Sequence, residues 1–146
     1  MIAHTIQLAL APVFVLVAIG NIMNILSTRL GRIVDRARAL QRLHGETVGE
    51  EHDLIVAEMR GIDHRIKLNT QAIKVLVMAG LAIGTTVAVL FMQEIFAVPL
   101  ERVAAGVFLV AVSLLMWGLW LFLRETQAAA ELLRIPEDYL ERHRKL

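Results

Sequence analysis

The sequence predicts an all-α integral membrane protein with three transmembrane helices and a cytosolic antiparallel helical hairpin between the first and second. Two observations lead to this fold class. First, 57% of the 146 residues are apolar, which exceeds the usual share in globular domains. Second, no Asp, Glu, Lys or Arg occurs before Arg29, between Lys74 and Glu94, or between Arg102 and Arg124. The chain is therefore treated as a single membrane domain.

The three uncharged segments are long enough to cross a bilayer. A spanning helix needs about 20 apolar residues for a hydrocarbon core of roughly 30 Å. The predicted spans are residues 5–28, 75–93 and 103–123. The first span is predicted to be retained, because its apolar run continues well past the small residues Ala9 and Ala11, where a signal peptide would be cleaved.

The positions of the basic residues predict the orientation of the chain. Lys and Arg number nine in the hairpin, residues 29–74, and five in the tail, residues 124–146, whereas the loop between the second and third spans contains only Arg102. The positive-inside tendency places the hairpin and the tail in the cytosol and the N-terminus outside. Trp117 and Trp120 precede the tail, as expected where a helix meets the cytosolic headgroups.

Apolar residues at alternating spacings of four and three continue the first helix beyond the membrane, at Leu26, Leu30, Ile33, Ala37 and Leu40. The returning arm repeats the pattern at Ile55, Met59, Ile62, Ile66, Asn69, Ile73 and Leu76. This pattern predicts an antiparallel hairpin whose apolar faces meet within one chain or between copies. Residues Thr47 to Glu50 have the form of a capping box that starts the second arm. Asn69 either fixes register or oligomeric state, or is a hydrated residue near the headgroups.

A basic stretch follows the first span: Arg29-Leu30-Gly31-Arg32-Ile33-Val34-Asp35-Arg36-Ala37-Arg38-Ala39-Leu40. In one interpretation its arginines contact anionic lipid, from which each gains about 1 kcal/mol; in the other, Asp35 pairs with Arg32 and Arg38 along the helix. The residues predicted to form a cytosolic mouth or to contact lipid headgroups are Arg29, Arg32, Asp35, Arg36 and Arg38. Nucleic acid is not an expected partner, because seven acidic residues nearly balance the nine basic ones in this region.

The basic stretch, with Ala11-Pro12 near the start of the first span, resembles the bacterial membrane family catalogued as domain of unknown function 2721. The resemblance covers most of the chain: an N-terminal span, the stretch Arg-Leu-x-Arg-x-x-Asp-Arg-x-Arg, and two further spans. It implies the same architecture and a location in the bacterial inner membrane. It implies no particular activity.

A polar stripe on the first span carries the leading functional hypothesis. Asn21, Asn24 and Thr28 are spaced three and four apart, so they share one helix face, and that face is unfavourable toward lipid. In one interpretation a homo-oligomer surrounds an ion or small-solute passage that closes by dewetting. The predicted pore-lining residues are Gln7, Leu10, Phe14, Val17, Asn21, Asn24 and Thr28. The alternative for the three polar residues is hydrogen bonding between packed helices.

The rival hypothesis is a non-conducting membrane scaffold whose basic hairpin binds anionic lipid or a cytosolic protein partner. Gly80 and Gly84 form a small-xxx-small pattern that predicts close helix packing. The absence of cysteine excludes thiolate chemistry. No catalytic set, phosphate-binding loop or convergent group of metal ligands can be assembled from the sequence, so we expect no enzyme activity, no cofactor and no metal.

Overall fold

Residues 2–132 fold into three long α-helices joined by two short turns. A computed structural model describes residues 2–132, in which α1 is Ile2–His44, α2 is Glu50–Phe96 and α3 is Glu101–Leu132. Each helix is long and apolar enough to span a membrane. The predicted all-α fold with three candidate spans is therefore confirmed. The part of the predicted tail that follows Leu132 lies outside the described residues.

Both arms of the hairpin are continuous with the spans. The first span continues unbroken to His44, and the second arm runs unbroken into the second span. This continuity is what the apolar periodicity predicts. At 1.5 Å per residue, the 24 residues from Glu50 to Ile73 extend roughly 36 Å beyond the second predicted span.

Buried residues recur at intervals of seven on each helix, and we call these three rows the seams. The α1 seam consists of Thr5, Pro12, Ile19, Leu26, Ile33 and Leu40. The α2 seam consists of Ile55, Ile62, Asn69, Leu76 and Ile83. The α3 seam consists of Ala104, Ala111, Gly118 and Glu125. A period of seven is the pattern of helices that pack with a left-handed supercoil.

The central helix is α2, which packs against both α1 and α3. Ile33 and Leu40 of α1 form one apolar cluster with Ile55 and Ile62 of α2. The faces of the hairpin, whose partner the sequence left open, therefore meet within one chain. Antiparallel pairing brings the start of α1 to the end of α2, where Thr5 Oγ1 donates a hydrogen bond of 3.1 Å to a carboxylate oxygen of α2.

Gly118 of α3 packs closely against α2. A Cβ atom placed there would lie 2.8 Å from Leu76 Cδ2, which is too short for a normal contact. The two helices can reach this separation because residue 118 has no side chain.

The turn between α1 and α2 corrects one prediction. Residue Gly49 precedes α2 with φ +73°, a backbone region that favours glycine. No side chain caps the helix there, and Thr47 Oγ1 instead donates to the Leu43 carbonyl at 2.9 Å. The predicted capping box from Thr47 to Glu50 is therefore wrong. The positive φ at Gly49 turns the chain, while the Thr47 hydroxyl is used at the end of α1.

Candidate functional site

The three helices meet at a buried carboxylate, Glu125 of α3. Arg29 Nη2 lies 2.8 Å from its Oε2, and Arg65 donates to its Oε1 through Nε and Nη2 at 3.2 and 3.1 Å. Arg29 also donates to Thr126 Oγ1 at 3.2 Å, and its Cζ lies 5.3 Å from the centroid of the Phe122 ring. One acidic side chain thus holds a cation from α1 and a cation from α2.

Burial makes this arrangement energetically demanding. Transfer of an ionised group out of water costs several kcal/mol, and the cost is offset only when opposite charges and hydrogen bonds surround it. The Glu125 side chain is fully buried, whereas those of Arg29 and Arg65 are 29% and 19% exposed. The two guanidinium groups therefore bridge between the buried carboxylate and solvent.

From the sequence alone, Glu125 belongs to the predicted tail, because it directly follows Arg124 after the third apolar run. A signal was nevertheless present: Glu125 follows the small residues Ala104, Ala111 and Gly118 at the same interval of seven. That interval places it on the packed face of α3.

A second ion pair joins the two arms of the hairpin. Arg36 contacts Glu58 through two parallel bonds, Nε to Oε1 at 2.7 Å and Nη2 to Oε2 at 3.0 Å. These hydrogen bonds, and then the charge of Glu58, raise the pKa of the Arg36 guanidinium above its ordinary value. Within residues 2–132, Asp35 forms no ion pair with Arg32 or Arg38. The predicted pairing along the helix is thus replaced by pairing across the hairpin.

A groove of about 460 Å³ opens at the hairpin end of the three predicted spans, and we call it the arginine groove. It is lined by Arg29, Arg32, Ile33, Arg36, Ile62, Arg65 and Ala129. Three of the five predicted lipid-contact residues are brought together in it, whereas Asp35 and Arg38 are exposed outside it. Arg65 of α2 also lines the groove and is not among the site residues predicted from the sequence.

Every predicted pore-lining residue is exposed on α1: Gln7, Leu10, Phe14, Val17, Asn21, Asn24 and Thr28. At about 100° per residue, Asn21 lies about 200° around the helix from the seam residue Ile19. The stripe therefore faces away from α2 and α3. Thr28 Oγ1 donates to the Asn24 carbonyl at 3.0 Å, so this hydroxyl is satisfied by its own helix. A role in lining a pore stays a prediction.

Contacts between α1 and α2 show which residues of α2 lie at the same height along the helix axes as the polar stripe. Leu16 Cδ1 lies 3.6 Å from the position of a Cβ at Gly80. Because the helices are antiparallel, Asn21, five residues after Leu16, is within one residue of the height of Lys74. Lys74 is exposed. The other two polar residues of the stripe lie further toward the hairpin.

Contacts between α2 and α3 show which residue of α3 lies at the same height as Lys74. Leu76 faces Gly118, so Lys74 and Trp120, each two residues further toward the hairpin, are level with each other. Trp120 is 50% exposed, and Arg124 Cζ lies 5.0 Å from its ring centroid. A Lys, a Trp and an Arg at one height form the residue set typical of a membrane interface.

The predicted packing glycines differ in their surroundings. Gly80 lies against Leu16 of α1, whereas within residues 2–132 a Cβ at Gly84 would have no neighbour within 4 Å. Among the glycines of the described range, Gly118 has the tightest surroundings, and it lies outside the predicted pattern. Close helix packing at Gly84 stays a prediction.

The described part of the chain places no group of three or more His, Cys, Asp or Glu side chains where they could hold a metal ion. At the turn of the hairpin, the rings of His44 and His52 pack with their centroids 4.4 Å apart. Two imidazoles alone are fewer ligands than a zinc site uses.

The family model described as "Protein of unknown function (DUF2721)" matches residues 9–135. The chain belongs to this family. The resemblance seen in the basic stretch is thereby confirmed, and the match covers both the arginine groove and Glu125. No curated protein and no solved structure matches the chain. The description of the family names no function. Evidence for function therefore comes from the groove and the spans.

Proposed function

We propose that this family member is a non-conducting membrane scaffold that holds a rigid helical hairpin on the cytosolic side of the bacterial inner membrane. The arginines at the base of the hairpin bind the anionic lipid of the inner leaflet. One observation carries the proposal: Arg29, Arg32, Arg36 and Arg65 line a single groove beside the membrane interface. In the scaffold reading, the hairpin presents a protein partner with a surface at a fixed distance from the membrane.

The height of this groove supports lipid as its ligand. Lys74 and Trp120 mark the interface, and Arg29 follows Asn21, which lies at their level, by eight residues, or about 12 Å along α1. Arg29 is the α1 arginine of the groove nearest to this level, and Arg32 and Arg36 lie about 5 and 10 Å further along the helix. Each basic residue near an anionic surface contributes about 1 kcal/mol of attraction, which decreases within a Debye length.

The positive-inside tendency supports the cytosolic side. The arms of the hairpin contain nine of the fifteen Lys and Arg residues. At the opposite end of the spans, between Glu94 and Arg102, the only basic residue is Arg102. An orientation with the hairpin outside would require translocation of this basic segment. We therefore assign the groove to the cytosolic leaflet, which carries the anionic lipid that attracts basic residues.

The proposal is tested by the lipids retained on the purified protein. Full-length protein is reconstituted in vesicles of equal phosphatidylglycerol and phosphatidylcholine, extracted in mild detergent, and weighed with its bound lipid by native mass spectrometry. We expect more phosphatidylglycerol than phosphatidylcholine, with the excess decreasing as salt is raised. An Arg32→Gln, Arg38→Gln double variant should lose part of the excess. Arg102→Gln, at the opposite end of the spans, is the control and should retain it; equal retention of both lipids would reject the proposal.

A channel lined by α1 is the second candidate, and the exposed stripe on the outer face of α1 favours it. In such a homo-oligomer, the faces of α1 that carry the stripe would surround a shared axis. The channel hypothesis began from polar residues that would be unfavourable toward lipid. The alignment of the helices weakens this reason, because Asn21 lies at the level of the interface residues Lys74 and Trp120. The part of the stripe within the hydrocarbon core then consists of Leu10, Phe14 and Val17, which tolerate lipid. Ion flux in vesicles that disappears in an Asn21→Leu, Asn24→Leu variant would favour the channel over the scaffold.

A further inference from the structure

We propose that the arginine groove binds the headgroup of a phospholipid with two phosphates, of the cardiolipin class. This inference rests on the proposed function, because it specifies which anionic lipid the base of the hairpin binds. The groove opens between α1, α2 and α3 on the side assigned to the cytosol. Basic pockets between transmembrane helices on that side suit polyanionic headgroups.

Charge balance gives the first argument. Four arginines line the groove, and two carboxylates, Glu125 and Glu58, are paired with them. Four positive charges less two negative charges leave a net charge of +2. A headgroup with two negative charges neutralises this surplus, whereas a headgroup with one leaves a cation unpaired.

The unused hydrogen-bond donors give the second argument. An arginine has five N–H donors. Arg36 and Arg65 each use two of them in hydrogen bonds, and Arg29 uses one in its hydrogen bond to Thr126, beside its ion pair with Glu125. At least three therefore remain on each side chain. Arg32 forms no ion pair with any residue in the described range 2–132. Guanidinium groups with free donors form short, charge-assisted bonds to phosphate oxygens.

The composition of the lining gives the third argument. The two phosphates of one such headgroup are joined by a short carbon bridge. Ile33, Ile62 and Ala129 complete the lining with apolar surface, against which the carbon atoms of the bridge can pack.

The test compares four lipids on the full-length protein in detergent, with affinities measured by native mass spectrometry. Cardiolipin carries two charges on two phosphates, phosphatidic acid up to two charges on one, phosphatidylglycerol one charge, and phosphatidylcholine no net charge. We expect cardiolipin to bind at one site per chain and at least about tenfold more tightly than phosphatidylglycerol or phosphatidic acid, the size of one charge-assisted hydrogen bond. Inorganic phosphate and pyrophosphate, added as competitors, should not displace it.

The matched variants are Arg32→Gln, inside the groove, and Arg38→Gln, on the same helix outside it. We expect Arg32→Gln to weaken cardiolipin about tenfold, and Arg38→Gln to change the affinity less than about twofold, as expected for a distant surface charge. Equal losses in the two variants, or equal binding of cardiolipin and phosphatidylglycerol, would overturn the two-phosphate site while leaving a general anionic preference intact. Displacement by pyrophosphate would assign the groove to a soluble ligand. Binding of every lipid at the strength of phosphatidylcholine would instead reject the proposed function itself.

Discussion

Glu125 and Asn69 form a polar layer where the seams pass from the predicted spans into the hairpin. Leu76 faces Gly118, and one heptad further toward the hairpin each helix has a polar residue, Asn69 on α2 and Glu125 on α3. Both side chains are fully buried. Glu125 meets two arginines, whereas neither polar atom of Asn69 has a hydrogen-bond partner among residues 2–132. Buried polar groups of this kind favour one register over another.

At the residue scale, we predict that Glu125→Gln destabilises the protein by about 3 kcal/mol. The substitution keeps the shape of the side chain but leaves Arg29 and Arg65 without their counter-charge, and loss of one partner of a buried ion pair is costly. The measurement is the thermal midpoint of unfolding in detergent, followed by tryptophan fluorescence. Glu131→Gln, at an exposed position of the same helix, is the control. Equal midpoints for the two variants would show that the carboxylate contributes nothing to stability.

At the element scale, the sequence predicts the course of the helices better than their ends and contacts. Apolar spacing predicts both arms of the hairpin, because one buried row every three to four residues is a local property of the chain. The start of α2 depends on the conformation of Gly49, which the Thr47 to Glu50 pattern does not reveal. The Arg36–Glu58 pair depends on which residues of the opposite arm lie at the same height, and this follows only from packing.

The contact between α2 and α3 leads to a prediction for the pair of helices. Gly118→Ala places a methyl group 2.8 Å from Leu76 Cδ2, so one helix must shift, and overpacking of this kind costs about 1–3 kcal/mol. Gly106→Ala is the matched control on α3, because no atom lies within 4 Å of its Cβ position. We expect a lower thermal midpoint for Gly118→Ala and an unchanged or slightly higher one for Gly106→Ala. Leu76→Ala is itself destabilising, because Leu76 is fully buried, but in that background Gly118→Ala should lower the midpoint less than it does in the unmodified protein. No difference between the two glycine variants would contradict the close contact.

At the scale of the whole molecule, the missing information was the register between helices. Breaks in the charge pattern identify three spans, yet they gave the first span 24 residues, from Thr5 to Thr28, and the second only 19. The structure resolves this mismatch, since Asn21 is level with Lys74. Asn21, Asn24 and Thr28, which the charge pattern places inside the first span, therefore lie level with Lys74 or further toward the hairpin. The arginine groove could not be found from the sequence, because its lining includes Arg65 of α2 and Ala129 of α3.

The topology gives a prediction for the complete protein in its membrane. Because the chain contains no cysteine, single cysteines introduced at exposed positions report on one site each. Val48, in the hairpin turn, and Val98, in the loop between α2 and α3, are 89% and 45% exposed. In intact spheroplasts, a membrane-impermeant maleimide should label Val98→Cys and should label Val48→Cys only after lysis. The opposite pattern would reverse the assigned orientation and place the arginine groove on the outer leaflet.

The unbroken course of α2 has a mechanical consequence. A helix that runs unbroken from Glu50 to Phe96 couples the orientation of its membrane half to that of its other half. Spans adjust their tilt when bilayer thickness changes, and in a straight helix a change of about 10° moves the far end of an arm of about 36 Å sideways by about 6 Å. A change of this size would displace the turn at Gly49 by more than the diameter of a water molecule.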